Sequence, residues 1–269
     1  QDGNISHSQI WRARAHVLGD IVNTQPIYSR SPNRQYTDTG YTAFKSSGTA
    51  ASRRPVVFVS SQDGMVHAIN ADTAAVSIGG SPVQPGEELW AFVPQQAMSS
   101  MKVLADTNYT LNHRYFVDGP LTVADVDFGA NNWHTILVGG QGAGGTSYFA
   151  IDITDPLNPA YLWEFTHTSL GYTFSNPTVT KLPNGEWAVL FSSGYNNSDN
   201  KGYLFAVKPQ TGALKTGFPM ATNTGSAGSP ANLGKIGVWV NNPATDNTAQ
   251  WVYVGGTDGN LWRFDLDPH

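Results

Sequence analysis

One unit returns four times along this chain, and that repetition limits the fold more than any other feature of the sequence. Each copy pairs a short apolar strand with a second, alternating strand across a turn of small residues or glycine. The copies are VFVSSQDGMVHAINAD from Val57, ILVGGQGAGGTSYFAIDITDP from Ile136, VLFSSGYNNSDNKGYLFAVKPQTG from Val189 and VYVGGTDGNLWRFDLDP from Val252. Alternation sends successive side chains to opposite sheet faces and glycine tolerates positive φ at the turn, so each copy reads as a β-hairpin. Ahead of each hairpin a proline opens another strand, in TQPIYS at Pro26, DGPLTVADV at Pro120, SNPTVTKL at Pro177 and GSPANLG at Pro230. Proline has no N–H to give a ladder and belongs at the first residue or the edge of a strand. EELWAFVP from Glu87 and AYLWEFT from Ala160 supply a fourth strand in two of the copies. Four antiparallel strands per repeat describe the blade of a β-propeller. The expectation is an all-β fold with about four recognisable blades. Residues 1–269 form a single propeller domain or a sector of one, the first blade being interrupted by a polar insertion at about 29–54.

Composition narrows the function. Of 269 residues only 13% are charged, with 15 basic and 20 acidic side chains and a formal net charge of −5. No cluster of Lys and Arg forms the basic stripe that phosphate neutralisation requires, so nucleic acid is not expected as a partner. The absence of cysteine removes disulfides, thiol nucleophiles and thiolate metal sites. The longest apolar runs, VVFV from Val56 and WAVLF from Trp187, fall far short of the ~20 residues a membrane helix needs. The chain opens at Gln1 with neither an initiator Met nor an apolar leader, so it reads as a fragment, with any export signal expected upstream.

Several strings resemble one known family in its order and over nearly the whole chain. They are RARAHVLGDIVNTQPIY (Arg12 to Tyr28), SSQDGMVHAINA (Ser60 to Ala71), ELWAFVP (Glu88 to Pro94), HRYFVDG (His113 to Gly119), ILVGGQGAGGTSYFAIDITDP, LGYTFSNP and DGNLWRFDL (Asp258 to Leu266). They look like the C-terminal propeller of the PilY/PilC family of type IV pilus biogenesis factors and tip-associated adhesins. The resemblance implies a modified seven-bladed, quinoprotein-like propeller, exported to the bacterial cell surface and associated with pili. It implies a non-enzymatic role in pilus biogenesis and adhesion. Minor pilins or pilus tip components, and host or abiotic surfaces, are the implied partners. A periplasmic scaffold propeller for outer-membrane assembly shares the repeat but not HRYFVDG or LGYTFSNP. A quinone-dependent dehydrogenase requires a central calcium and a carboxylate base that cannot be assembled here.

The resemblance also implies a calcium loop just before the strand WVYVGG. Counting back from Trp251 puts Gln250, Thr248, Asp246, Ala244 and Asn242 in the ligand places. A hard dication wants ~6–8 oxygens, several of them charged, and this loop offers one carboxylate and an alanine. Asn242 and Asp246 are the candidate ligands of a degraded calcium site, beside the plainer reading of a polar hairpin turn. Asn196, Asn197 and Asp199 in GYNNSDNKG, and Asp118, Asp125 and Asp127, read as turn-forming rather than metal-binding. GGQGAGG contains G-x-G-x-x-G, but TSYFAIDI after it is a strand, where the dinucleotide fingerprint needs a helix. Its glycines are expected to let blades approach closely. SSMK from Ser99 matches S-x-x-K without the partner motifs of a Ser-Lys hydrolase. The seven histidines, His7, His16, His67, His113, His134, His167 and His269, show no metal-site spacing. Trp90, Trp163 and Trp262 are expected at equivalent positions between blades. Tyr36, Tyr41 and Phe44 are expected on an exposed contact surface in the insertion, whose deletion should leave folding intact.

Overall fold

The prolines do begin strands. In the computed structural model, which describes Arg12 and residues 18–267, Pro26 precedes β1 (Ile27–Ser29), Pro120 precedes β7 (Leu121–Asp127) and Pro177 precedes β11 (Thr178–Lys181). Pro230 stands shortly before β15 (Leu233–Val240). Each of these strands pairs antiparallel with the first strand of the following hairpin. The first blade continues with β2 (Val56–Ser60) and β3 (Val66–Asn70), carries a side hairpin of β4 (Val76–Ile78) and β5 (Ser81–Val83), and closes with β6 (Glu88–Phe92). The second has β8 (Trp133–Gly140), β9 (Tyr148–Asp152) and β10 (Ala160–Phe165); the third has β12 (Trp187–Ser192), β13 (Tyr203–Val207) and β14 (Met220–Ala221). The fourth holds three strands, β15, β16 (Ala249–Gly256) and β17 (Leu261–Asp265). Strand orders β1-β2-β3-β6, β7-β8-β9-β10 and β11-β12-β13-β14 are simple meanders, so this is an all-β propeller architecture of four-stranded blades.

The central strands of the second and third blades are buried on both faces because each face meets another blade. All of β12, WAVLFS, is buried, as is nearly all of β8; a short continuous apolar run is the mark of such a strand. Three core clusters follow. One lies between the first and second blades around Phe58, Leu137 and Phe149. Another fills the space between the second and third around Val138, Tyr148, Val189 and Phe191. The last joins the third and fourth around Leu190, Leu204, Val252 and Phe264. The opposite face of the fourth blade, with Trp239, Tyr253 and Leu261 exposed, has no blade against it among the described residues.

Two glycines show how closely blades and their connections pack. A Cβ on Gly144, in GGQGAGG, would sit 1.8 Å from the Phe116 carbonyl oxygen. Gly212 has φ +68° and would drive a Cβ to 2.8 Å from the Trp163 ring. That ring donates its Nε1–H to Pro209 O of the third blade at 2.7 Å. Trp90 repeats the arrangement one blade earlier, donating to Pro156 O at 2.7 Å. Both tryptophans lie on fourth strands and lock each blade to the next. Trp262 departs from the expectation: it sits on β17, a third strand, where it packs against the third blade and its Nε1 has no partner.

The insertion keeps most of its polar residues exposed, but its aromatics do not lie on the surface as expected. It carries α1 (Tyr41–Ser46) and α2 (Gly48–Ala51) and crosses the ends of the second, third and fourth blades as a strap. Tyr36 is 6% exposed and Tyr41 0%. Tyr36 packs 5.5 Å from Trp187 and Tyr41 4.8 Å from Trp133, while Phe44 lies 6.4 Å from Trp133. The physical reason is that Trp133 and Trp187 open β8 and β12 at one end of their blades, and those rings need apolar cover that the polar loop supplies through its few aromatics. Backbone hydrogen bonds carry the strap to the fourth blade, from Gln35 N to Ala244 O at 3.2 Å and from Thr37 N to Thr245 O at 2.8 Å.

Candidate contact surface

Strand direction sorts the connections between two ends of the blades. The strap and the β15–β16 turn share one end. At the other, where the prolines open the first strand of each blade, lie the β2–β3, β8–β9, β12–β13 and β16–β17 turns and the connections from blade to blade. The longest of these, residues 93–117, contains α3 (Gln95–Met98) and two single 3₁₀ turns, Met101–Ala105 and Tyr109–Leu111. It is fastened, not loose. Glu164 of β10 accepts hydrogen bonds from the backbone of Gln95 at 2.6 Å and Gln96 at 3.1 Å, and Gln96 exchanges two with Thr146. Leu104, Tyr109 and Phe116 bury into the core below.

The solvent-facing side of this connection mixes polar residues such as Asn112 and Arg114 with exposed apolar ones. Leu111 is 83% exposed and Tyr115 45%, with Met98 also exposed. His113 stands between Tyr109 and Tyr115, its ring centroid 5.4 Å from each. In the next connection Tyr172 is exposed as well; its segment lies along the β12–β13 loop through Tyr172 N to Tyr195 O at 2.7 Å, and Phe174 packs 5.1 Å from Tyr195. Exposed aromatic side chains thus lie in HRYFVDG and LGYTFSNP, at Tyr115 and Tyr172, whereas Tyr36 and Tyr41 of the insertion are buried. The residues around them gave a faint signal: a run of mixed polar and aromatic residues between two clear strands, longer than a blade connection needs.

Buried polar side chains set both ends. Asp118 accepts from Asn23 N at 3.1 Å and Gln62 Nε2 at 2.6 Å, and Gln62 Oε1 in turn accepts from Phe116 N at 2.9 Å. At the strap end Asp125 accepts from Tyr41 Oη at 2.8 Å and from Thr135 Oγ1 at 2.5 Å. Burial pushes the Tyr36 hydroxyl up to about 12, and burial beside Asp125 raises that of Tyr41 further. Asp118 and Asp125 are thus buried hubs rather than turn caps. Asp127 does cap its turn, through Gly129 N and Asn131 N. Asp63 and Glu88 both bind His67, a buried imidazole in the first blade.

Asn196 has φ +60°, and Asn197 Nδ2 donates to the carbonyls of Ser169 and Lys201. Asp199 accepts from Tyr203 Oη at 2.5 Å, so this loop spends its oxygens on itself. His134 pairs with Asp152 at 2.5 Å. His7, His16 and His269 lie outside the described residues, as does the stretch 13–17 of the first family-like string. Among the described residues no helix is long and apolar enough to cross a membrane.

Asn242 is exposed at the head of the β15–β16 turn, and its carbonyl oxygen accepts from the backbone N–H groups of Thr245, Asp246 and Asn247 at 3.2, 2.9 and 3.0 Å. Ala244 O takes the Gln35 N–H, and Gln250 O takes that of Leu266 at 3.0 Å. Thr248 Oγ1 donates to Asp246 Oδ1 at 3.0 Å. That same Oδ1 accepts from Lys181 Nζ at 2.7 Å, and Lys181 Nζ reaches Asp38 Oδ1 of the strap, also at 2.7 Å. Lys181 is the residue that reading the loop alone missed. It lies 65 positions before Asp246. The carbonyl oxygens of Asn242, Ala244 and Gln250 are each engaged by backbone N–H groups, position 244 has no side-chain oxygen, and the one carboxylate is held by an ammonium. These residues do not fit a calcium ion.

Comparison with known proteins places the chain. A family model described as the PilY1 β-propeller domain matches residues 18–268. A type IV pilus biogenesis factor PilY1 homolog of Xylella fastidiosa is 36% identical over 272 residues, covering 98% of this chain and 20% of that protein. The type IV pilus biogenesis factor PilY1 of Pseudomonas aeruginosa strain PAK is 35% identical over 276 residues, covering 98% of this chain and 22% of that protein. Among solved structures, the Pseudomonas aeruginosa PilY1 C-terminal domain aligns with a TM-score of 0.67 and 33% identity, over 88% of this chain and 44% of that one. The chain spans about a fifth of the length of the curated relatives it matches.

Proposed function

Since this chain belongs to the PilY1 β-propeller family, whose curated relatives are type IV pilus biogenesis factors, we propose that it is a rigid, non-catalytic contact module of such a factor at the bacterial cell surface. Its proline end grips pilus components, minor pilins or tip proteins, and through them supports pilus biogenesis and adhesion. A propeller alone supports no particular function. The observation that carries this one is the asymmetry of the two ends. One is closed by the strap, with its aromatics buried, whereas the other holds Met98, Leu111, Tyr115 and Tyr172 exposed on connections pinned to the blades by Glu164, Gln96 and Asp118. Exposed apolar groups on an ordered scaffold lose little entropy when a partner covers them, which is the economy of a preorganised interface.

The test is a full-length protein carrying Leu111→Asp and Tyr115→Asp. Both side chains are on the surface, so the melting temperature should hold, while each loses about 1–2 kcal/mol of contact energy. Surface pili, adhesion and capture of purified minor pilins should all fall at least ten-fold. Normal piliation and binding with both substitutions in place would rule out the proline end as the contact face.

A further inference from the structure

We propose that the Lys181 ammonium is a built-in cation, standing where the resemblance implies calcium and fastening the β15–β16 turn to the strap without a metal. The distances support the substitution. Lys181 Nζ lies 2.7 Å from both Asp246 Oδ1 and Asp38 Oδ1, only slightly more than the ~2.3–2.6 Å of a calcium–oxygen contact. One centre of positive charge therefore bridges two carboxylates at nearly the spacing a calcium ion would impose.

The surroundings hold the ammonium in place. Lys181 is buried at the end of β11, with Nζ 5.9 Å from the centroid of the Trp187 ring. Its backbone N–H donates to Asn247 O at 2.9 Å, and Thr180 Oγ1 donates to the same oxygen at 2.7 Å. Asn247, at φ +58°, turns the chain so that its Nδ2 reaches Val179 O at 3.1 Å. The turn is thus seated on β11 whatever the solution contains. Burial disfavours the Lys181 charge, but hydrogen bonds to Asp246 and Asp38 raise its pKa above the ordinary lysine value. The same hydrogen bond lowers that of Asp246. Asp38 Oδ2 is buried with no partner, so once the ammonium is gone the two carboxylates face each other with an acceptor to spare. A divalent cation supplied in excess can then bridge them.

The experiment compares chelator-treated wild type and Lys181→Ala, each melted with and without millimolar calcium chloride. Wild type should be indifferent to calcium. Lys181→Ala should melt several degrees lower and recover part of that loss in calcium, a recovery that Asp38→Asn added to the same protein abolishes. If the alanine variant does not fold, Lys181→Gln, which keeps the stem beside Trp187, carries the same comparison. A calcium-dependent rise in the wild type that Asp246→Asn removes would overturn the proposal, because the loop would then bind the metal with Lys181 displaced. A Lys181 variant whose melting calcium does not change would overturn it equally.

Discussion

Truncating Tyr41 should destabilise the strap and the second blade beneath it. The hydroxyl donates to Asp125 at 2.8 Å in a site with no exposure. Tyr41→Phe keeps the ring but strips a buried carboxylate of one donor, a loss of about 1–3 kcal/mol. Tyr41→Ala also removes a ring packed 4.8 Å from Trp133 and 5.0 Å from Tyr36, adding about 3–5 kcal/mol. For a chain of this size each kcal/mol moves the melting temperature by about 2–4 °C, so Tyr41→Phe should lower it by a few degrees and Tyr41→Ala by about 10 °C or more. Near-ultraviolet circular dichroism is the suitable assay, since it follows the Trp133 and Trp187 environment directly. Thr42→Ala, on the exposed side of the same helix, is the control. A Tyr41→Ala protein that melts within about 2 °C of wild type would show that the insertion is peripheral and that its burial does not stabilise the blades.

Two further outcomes follow from the packing. Burial disfavours the His67 charge, yet hydrogen bonds to Asp63 and Glu88 lift its pKa above the ordinary value. A raised folded-state pKa stabilises fully below the unfolded value of ~6.5 and is lost as pH climbs through the folded one, so the melting temperature should fall on going from about pH 6 to about pH 9. His67→Gln should flatten that slope, and an equal slope in both proteins would assign the dependence to other groups. Trp163→Phe removes the link to Pro209 O and should lower stability in urea by about 1–3 kcal/mol; an unchanged midpoint would mean that shape alone, without the hydrogen bond, locks the second blade to the third.

Local patterns were legible to the extent that they are set by local physics. The hairpins and the proline-led strands appear where alternation and the missing N–H put them, and the glycines of GGQGAGG do let Phe116 approach. The positive φ of Asn196 and Asn200 is likewise what a polar Asx-rich loop implies. Misreadings arose wherever a residue's environment comes from far along the chain. Polar neighbours made Tyr36 and Tyr41 look exposed, because nothing near them in sequence announces the bare ends of Trp133 and Trp187. The β15–β16 turn shows one carboxylate among its own oxygens, yet that charge is met by Lys181, which the turn's composition cannot reveal. Trp262 shared a motif shape with Trp90 and Trp163, but the fourth blade places it one strand further in.

The strap also sets an order of events in folding. Each hairpin closes between neighbours in sequence and forms early, whereas Thr37 must find Thr245 across 208 residues and the Tyr36 hydroxyl must find Asn247 across 211. Such non-local pairings form slowly because the intervening loop must be closed first. A chain made from its N-terminus therefore carries Tyr36 and Tyr41 uncovered while the second, third and fourth blades are still being added. Its final step is the seating of one of its earliest segments on one of its latest, so that loss of the fourth blade would be felt at residue 36.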